Sequence, residues 1–232
     1  MCGRFTLTST PEELAQRFGL DAPPSVAPRY NIAPGQEVLA VRAQRDGARG
    51  ADWLRWGLVP AWSDPASASA GGPLINARAE TAAERRAFRD AFRARRCIVP
   101  ASGFFEWAKR GDFRQPYWIA PKDGAPFGIA GLWECWIAPD GARVESCALL
   151  TTAANARVAE LHDRMPAILA PLDHAAWLDP TREVAALAEL LAPLPSDSLA
   201  FRAVGTRVNR VENDDAALLD AVPEPPRQPS LF

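Results

Sequence analysis

The chain has 232 residues, of which 48% are hydrophobic and 23% are charged. This composition can bury a sizeable core, which excludes a largely disordered chain and predicts one large globular domain or at most two small ones. No segment approaches the roughly 20 apolar residues that a membrane-spanning helix requires, and no apolar stretch typical of a secretory signal follows the first residues. The sequence therefore predicts a soluble, cytoplasmic protein.

Positive and negative charges are unevenly distributed along the chain. The formal net charge is −2, but residues 1–115 contain 17 Lys and Arg against 12 Asp and Glu, whereas residues 116–232 contain 9 against 16. An anionic ligand is therefore expected to bind mainly through the first half. Arginine accounts for 24 of the 26 basic residues, which suits bidentate phosphate contacts but can equally reflect the nucleotide composition of a genome.

The four cysteines form no Cys-x-x-Cys pair. This spacing argues against a zinc site and predicts reduced thiols. No metal or other cofactor is expected.

Short strands separated by turn residues dominate the first two thirds of the chain. Strands are predicted at residues 3–8, 38–41, 53–58, 97–99, 104–107, 117–119, 129–136 and 144–151, with one more around 199–204. Residues 22–34 are proline-rich and predicted as loop. Thr10, followed by Pro11 and then Glu13, forms a capping-box pattern that predicts a short helix to about Phe18.

A longer helix is predicted from about Thr81 to Arg95. Its apolar positions would face inward, and arginines would form a stripe on another face, which is usually a solvated face. The inward residues are Phe88, Ala91 and Phe92, and the stripe is Arg85, Arg89, Arg93 and Arg96. Further helices are predicted at residues 173–178, with Asp173 as the N-cap, and at 182–191.

These elements predict an α+β fold with a curved, mostly antiparallel, barrel-like sheet flanked by short helices. We expect one domain over residues 2–221. The tail at 222–232 is rich in proline and is expected to be disordered.

A cysteine follows the initial methionine. Removal of Met1 is expected because residue 2 is small, and it would leave Cys2 with both an α-amine and a thiol. With ordinary pKa values of about 8 and about 8.5, both groups are partly nucleophilic at neutral pH. The amine could attack an aldehyde to form a Schiff base, and the thiol could then close a thiazolidine ring. In most proteins that have a cysteine at position 2, however, its presence there is a chance event.

The chain has two histidines. His174 lies at a predicted helix start and needs no role beyond capping or a surface position. His162 lies in a polar cluster just before the apolar residues 167–169. Since histidine titrates near neutral pH, His162 could transfer protons, although a structural histidine is the more common case.

Glu106 lies in a predicted strand with aromatic neighbours. Strand alternation places Phe105 and Trp107 on one face and Glu106 on the opposite face. The carboxyl group is therefore either solvated at a rim or desolvated, with a pKa raised toward that of a general acid. The sequence leaves both interpretations open.

Asn76 and Arg78 alternate in the same way just before the arginine-rich helix. Together they could hold an oxygen atom and a phosphate; the alternative is a turn asparagine and a surface ion pair between Arg78 and a nearby glutamate. Among the eight tryptophans, Trp62 and Trp107 lie beside loop or polar residues and could stack on an unpaired base. Core burial remains the more common role for either.

Six separated segments occur in a fixed order along the chain. They are MCGRF at 1–5, RYNIAPG at 29–35, WGLVPAW at 56–62, INARAET at 75–81, SGFFEW at 102–107 and HDRMP at 162–166. In this combination the chain resembles the SOS response-associated peptidase (SRAP) family over about residues 2–219. The resemblance implies a sensor of abasic sites in single-stranded DNA and at single-to-double-strand junctions, which crosslinks to the ring-opened sugar through a thiazolidine on Cys2.

The resemblance also implies a role for each matched residue. Cys2 matches the nucleophile, Asn76 the amide that orients the sugar and cysteine, Glu106 the acid and base, and His162 the proton-transfer residue that assists reversal. Arg4, Arg78, Arg86 and Arg164 match the phosphate clamp, and Trp62 and Trp107 match residues that stack on bases or separate strands. We expect a monomer without a membrane partner, associated with the nucleoid when bound to damaged DNA.

Two other functions are compatible with the same residues. In the first, the chain is a cysteine peptidase, as the family name suggests, with Glu106 and His162 assisting Cys2; its weakness is that only Met1 precedes Cys2. In the second, the chain binds DNA junctions without covalent chemistry and Cys2 is incidental. Formation of a heat-stable complex with abasic single-stranded DNA separates these possibilities.

Overall fold

The computed structural model describes residues 2–44, 46–64, 74–111 and 113–223. Within them the strands are β1 Phe5–Leu7, β2 Arg29–Ile32, β3 Glu37–Ala43, β4 Arg49–Trp56, β5 Asn76–Arg78, β6 Arg96–Ala101, β7 Gly103–Arg110, β8 Phe113–Pro121, β9 Phe127–Ile137, β10 Arg143–Ala153, β11 Arg164–Pro166, β12 Ile168–Leu169 and β13 Leu199–Ala203. The α-helices are α1 Pro11–Phe18, α2 Ala79–Ala82, α3 Arg89–Ala94, α4 His174–Leu178 and α5 Val184–Ala188. Short 3₁₀ turns are Val158–Glu160, Pro171–Asp173, Glu189–Leu191, Thr206–Asn209 and Ala216–Leu219.

Five strands of the larger sheet close into a barrel. The order β10-β4-β3-β6-β9 returns to β10, because β10 pairs with β4 on one side and with β9 on the other. Closure leaves these strands without an open edge. Only the pairings of β10 with β4 and β5 are parallel among the described strands. The predicted α+β class and the mostly antiparallel, barrel-like sheet are confirmed.

A second, wholly antiparallel sheet lies against the barrel in the order β13-β8-β7-β1-β2. The chain passes from the barrel into this sheet at Ser102. The Ser102 hydroxyl accepts hydrogen bonds from the backbone N–H groups of Thr8 (2.9 Å) and Ser9 (3.2 Å), which ties the end of β1 to this crossing. Phe5 and Phe104 are cross-strand partners and both belong to the main core, so the two sheets share one apolar interior.

Helix α1 forms as its sequence predicts. The Thr10 hydroxyl accepts from the backbone N–H of Glu13 (3.2 Å), and the Glu13 carboxylate accepts from the N–H of Thr10 (2.8 Å). This reciprocal pair satisfies donors that the first helical turn leaves open. Gly19 ends the helix in the left-handed region at φ 64°, which glycine adopts without steric cost.

Residues 79–94 do not form the single helix predicted over 81–95. The helix is interrupted between α2 and α3, and at Phe88 the backbone leaves helical geometry (φ −127°, ψ −24°). Phe88, Ala91 and Phe92 are nevertheless buried, as predicted. Packing of this apolar face fixes the segment more strongly than local helix propensity does.

Arg96 was predicted on a solvated stripe, and this prediction is wrong. The residue starts β6, is 4% exposed, and its guanidinium donates to the carbonyls of Phe92 (2.6 Å), Arg93 (2.5 Å), Trp177 (2.6 Å) and Asp179. These carbonyls lie at the ends of α3 and α4, which lack further backbone donors. Arg96 therefore caps two helices at once.

Strand β2 lies within the segment predicted as loop. Its backbone is held from outside the sheet, since the N–H groups of Tyr30 and Asn31 donate to the Asp214 carboxylate. The Asn31 amide also donates to the carbonyls of Arg210 (3.0 Å) and Asn213 (2.8 Å). These partners lie about 180 residues away along the chain, so no local sequence pattern predicts the strand.

His174 is buried, in contrast to the predicted capping or surface position. Its ring is 1% exposed and stacks on Phe18 with ring centroids 5.3 Å apart. Burial, with the nearby charges of Arg49 and Arg17, lowers the pKa of His174 to about 4. Asp173 precedes α4 but makes no side-chain capping hydrogen bond, since its backbone (φ −89°, ψ −9°) is helical, whereas an N-cap residue is typically extended.

No helix in the described residues is long and apolar enough to cross a membrane. The predicted disordered tail lies outside the described residues from position 224 onward.

Candidate active site

The four predicted chemical residues come from four separate parts of the chain. Cys2 precedes β1, Glu106 lies in the middle of β7, and both strands belong to the smaller sheet. Asn76 opens β5, which pairs in parallel with β10, and His162 lies two residues before β11, which also pairs with β10. The candidate site therefore lies where the smaller sheet meets the segments attached to β10.

Direct contact and charge interactions connect these residues. The Asn76 amide donates to the carbonyl oxygen of Cys2 at 2.9 Å. The charge of Glu106 raises the pKa of Cys2, and the charge of Asp163, the neighbour of His162, raises that of Glu106. Since such effects weaken with distance, these groups form one cluster.

Cys2 is fully buried. Burial raises the pKa of its thiol to about 12, and the charge of Glu106 raises it further, whereas a backbone hydrogen bond with Arg4 lowers it. The value of about 8.5 expected from the sequence applies to an exposed thiol and does not hold in the folded chain. At neutral pH the thiol is protonated, so it must lose its proton as it reacts.

Glu106 is 3% exposed. It shares the face of β7 that carries Phe104 and Ala108, both buried in the main core, and it lies opposite Tyr117 of β8. Burial raises the pKa of Glu106 to about 7, while a hydrogen bond with the Trp107 backbone opposes the rise. Of the two interpretations that the sequence left open, the structure has the desolvated carboxyl group.

His162 is held through its Nδ1 atom. Nδ1 accepts the backbone N–H of Arg164 at 2.9 Å and lies 2.9 Å from an Asp163 carboxylate oxygen. Burial lowers the pKa of His162, and the charge of Asp163 opposes that change. Because a neutral imidazole has one acceptor and one donor nitrogen, accepting at Nδ1 leaves the proton on Nε2.

Asn76 presents a second polar atom inside the site. Its Nδ2 donates to Cys2, whereas its Oδ1 is buried and makes no hydrogen bond within the described residues. A buried acceptor without a donor is costly. The Oδ1 atom is therefore positioned to accept a hydrogen bond from a bound molecule.

The four arginines of the predicted phosphate clamp divide into two pairs. Arg78 and Arg86 are exposed. Arg4 instead donates to the Asn31 side chain and the Val208 carbonyl, each at 2.8 Å. Arg164 is 14% exposed, forms a bidentate ion pair with Glu80 (2.7 and 2.8 Å) and also donates to the Thr151 carbonyl.

The two candidate stacking tryptophans also differ in environment. Trp62 is 51% exposed, and the guanidinium of Arg86 lies 4.2 Å from its ring. Trp107 is half-buried in a small cluster with Phe105 and donates from its indole N–H to the Asn209 side chain at 2.8 Å. Trp62 thus offers more free ring surface than Trp107.

No group of three His, Cys, Asp or Glu side chains is arranged to hold a metal ion within the described residues. All four cysteines are free thiols.

Three charged residues near the site were missed from the sequence. Asp163 raises the pKa of both His162 and Glu106, Glu80 engages Arg164, and the charge of Arg114 lowers the pKa of His162. Asp163 could have been suggested by its place next to His162. Arg114 could have been suggested by the turn at Gly111, which pairs it with the end of β7.

Comparison with known proteins places this geometry in a family context. The family model described as SOS response associated peptidase (SRAP) matches residues 1–211. Abasic site processing protein YoaM of Bacillus subtilis is 40% identical over 228 residues, covering 95% of this chain and 98% of the relative. YedK of Escherichia coli is 34% identical, covering 96% and 100%. HMCES of Xenopus tropicalis is 28% identical, covering 96% and 78%.

Solved structures have the same architecture. The crystal structure of a Bacteroides thetaiotaomicron protein matches with a TM-score of 0.86 at 25% identity, covering 95% of this chain and 100% of that one. A Bordetella bronchiseptica protein matches with a TM-score of 0.79 at 28% identity, covering 88% and 100%.

Proposed function

We propose that this chain, which belongs to the SOS response associated peptidase (SRAP) family, acts on abasic sites in single-stranded DNA and at single-to-double-strand junctions and captures the sugar aldehyde on Cys2. Relatives named abasic site processing proteins support this substrate. The observation that carries the proposal is the buried cluster in which Asn76 holds the Cys2 backbone beside a Glu106 carboxyl group with a pKa of about 7.

The first step is ring opening of the abasic sugar. A proton leaves the anomeric hydroxyl group and another reaches the ring oxygen, giving the open aldehyde. Glu106 can perform both transfers, because a group with a pKa of about 7 is partly protonated at neutral pH. The Asn76 Oδ1 atom, which needs a donor, accepts from a hydroxyl group of the sugar.

The second step is attack by the α-amine of Cys2, which is free once Met1 has been removed. Its nitrogen adds to the aldehyde carbon to give a carbinolamine, and protonation of the carbinolamine hydroxyl by Glu106 releases water and leaves a Schiff base. The hydrogen bond from Asn76 to the Cys2 carbonyl holds the backbone in position for this attack.

Ring closure follows. The Cys2 sulfur adds to the imine carbon while the thiol proton passes through the Glu106 carboxylate to the imine nitrogen. The product is a five-membered thiazolidine with new C–N and C–S bonds, and the only molecule released is water. The high pKa of the thiol suits this order, because the sulfur stays protonated until the acceptor carbon is in place.

His162 serves the reverse reaction. In its protonated form, with Nδ1 2.9 Å from an Asp163 carboxylate oxygen, His162 can donate its Nε2 proton to the departing sulfur when the C–S bond breaks, which gives the thiol, a protonated Schiff base and a neutral imidazole. Asp163 stabilises the protonated form of the ring.

The main contacts to the DNA backbone come from the exposed arginines Arg78 and Arg86. Arg4 and Arg164, which are engaged with protein groups, mainly position β2 and the segment around His162. Trp62 stacks on a base, because half of its surface is open. We further propose that the protein acts as a monomer in the cytoplasm and on the nucleoid.

The test uses an end-labelled single-stranded oligonucleotide with one abasic site. We expect the native protein to give a heat-stable shifted band, and Cys2→Ser to lose it while still forming an imine that borohydride traps. Cys135→Ser, which changes a half-buried cysteine away from the site, serves as the control. A heat-stable band from Cys2→Ser, or retention of Met1 in crosslinking protein, would exclude the thiazolidine.

The cysteine peptidase function receives less support. Peptidase cysteines act as thiolates with lowered pKa values beside a histidine. In this chain, burial and Glu106 raise the pKa of Cys2 to about 12. The thiol therefore suits addition to a preformed imine better than attack on a peptide bond.

A further inference from the structure

The end of the β7–β8 hairpin carries two cations directly across from each other. Lys109 of β7 is the cross-strand partner of Arg114 of β8, and both side chains are exposed. Neither forms an ion pair or side-chain hydrogen bond with another described residue. Like charges directly opposite in a strand pair are destabilising, so the fold gains nothing from this pair.

The two cations lie on the face of β7 that carries Trp107. Strand alternation places Lys109 on the same face as Phe105 and Trp107, opposite to the face of Glu106. Arg4, two residues after Cys2, has its guanidinium 5.9 Å from the Trp107 ring. A continuous strip therefore leads from Arg4 over Trp107 to Lys109 and Arg114.

The composition of this strip indicates the chemistry of its ligand. A half-buried tryptophan beside exposed cations is typical of surfaces that bind single-stranded nucleic acid, where cations contact phosphates and aromatic rings contact bases. The field of Arg114 extends to the site itself, since its charge lowers the pKa of His162. A strand bound in the site can thus continue along this face.

We propose that the outer face of the β7–β8 hairpin, formed by Trp107, Lys109 and Arg114, binds the DNA strand as it leaves the site, with the ring against a base and the two cations on phosphates. This inference rests on the proposed function and adds a second contact region, separate from Arg78 at the end of β5 and Arg86 on the segment that follows it. It assigns the two exposed cations of the hairpin to phosphates on one side of the lesion.

The experiment measures non-covalent binding at several salt concentrations. The ligand is single-stranded DNA containing a tetrahydrofuran abasic analogue, which has no aldehyde and cannot be crosslinked. Three oligonucleotides place the analogue in the centre, at the 5′ end or at the 3′ end. Lys109→Ala/Arg114→Ala is the test variant, and it should fold well because it removes a repulsive pair.

Lys122→Ala is the matched control for Arg114→Ala. Lys122 is exposed and follows the opposite end of β8, about 26 Å from Arg114 along an extended strand. Each single variant removes one exposed positive charge; the two residues differ in position and in side-chain type.

We expect the double variant to reduce the slope of log affinity against log salt by about 1.4, since each phosphate contact on a single strand contributes about 0.7. Arg114→Ala should remove about 0.7 and Lys122→Ala should leave the slope unchanged. These decreases in slope should disappear for one of the two oligonucleotides with the analogue at an end, because that oligonucleotide has no DNA to extend over the hairpin. An unchanged slope for the double variant, or equal losses from Arg114→Ala and Lys122→Ala, would overturn the inference.

The aldehyde-containing oligonucleotide separates this inference from the proposed function. If the native protein crosslinks while the hairpin variants keep the full salt slope, the hairpin inference fails alone. If the hairpin controls the slope but no heat-stable product forms, the covalent function fails and the binding face stands.

Discussion

The two faces of β7 place ionisable side chains in opposite environments, one buried and one exposed to solvent. On the inner face, Glu106 lies among buried apolar residues, and burial raises its pKa to about 7. On the outer face, Lys109 is exposed opposite Arg114. Two positions three residues apart on one strand thus carry a desolvated carboxyl group and an exposed cation.

This difference matches the two tasks that we propose for the same strand. Proton transfer requires a group whose pKa lies near the working pH, which burial supplies. Phosphate binding requires cations that stay charged and reachable, which exposure supplies. Substitutions on the inner face should therefore change reaction rates, and those on exposed cations should change affinity and its salt dependence.

The largest effect is expected for Glu106→Gln, which keeps the shape of the side chain but removes its titration. We expect crosslink formation to slow by roughly 100- to 10,000-fold, with Glu37→Gln, exposed on β3, as the control. The measurement is a time course of heat-stable product.

The pH profile adds a second readout for the same variant. The native rate should rise as the amine, with a pKa of about 8, loses its proton, and should fall as Glu106 loses its proton above about pH 7. The optimum therefore lies between these values. In Glu106→Gln the falling limb should vanish; a native rate for this variant would remove the assigned role.

The next effect concerns His162→Ala, which should separate reversal from formation. We expect near-normal crosslinking but release about 100-fold slower when labelled complex is challenged with excess unlabelled abasic DNA. Asp163→Asn, whose side chain is 85% exposed, should slow release less, because it keeps the imidazole. Equal losses in both directions from His162→Ala would instead indicate a supporting role in the site.

A smaller effect distinguishes exposed from engaged arginines. Arg78→Ala should lower the salt slope of single-strand binding by about 0.7. Arg164→Ala should change the slope less and lower the melting temperature, because it breaks the ion pair with Glu80. Anisotropy titrations and thermal unfolding test the pair; a reversed pattern would show that Arg164 leaves Glu80 for phosphate.

The smallest effect is on the stability of the fold and arises from the buried Glu106 carboxyl group. The pKa of Glu106 is raised from 4.5 to about 7 in the folded chain. The contribution of the protonated carboxyl group to the free energy of unfolding is therefore fully present below about pH 4.5 and is lost as pH rises through about 7. Glu106→Gln should therefore melt higher than the native chain at pH 8, by roughly 2–4 °C for each kcal/mol. The difference should disappear near pH 4.

Much of the architecture could be predicted from the sequence, because the strands and the first helix have strong local patterns. Alternation predicted β7 and the opposite faces of Phe105 and Glu106, and the capping pattern at Thr10 predicted α1. The six family segments supplied the candidate residues of the site. These features depend on neighbours in the chain.

The missed features depend on distant partners. β2 is fixed by Asp214, and Arg96 is buried because two helix ends meet around it. The high pKa of Cys2 arises from the interior built by both sheets. A single sequence shows the residue types but does not show which of them lose contact with water.

The parallel pairing of β10 has a consequence for the order of events during synthesis. Asn76 is held by β10 at Leu149, so the pocket around Cys2 closes only after more than half of the chain has been made. At about 5–20 residues per second, the N-terminus remains accessible for on the order of ten seconds. Removal of Met1 by an aminopeptidase is expected in this interval, before burial, and a delay in that cleavage would yield folded protein without a free aminothiol.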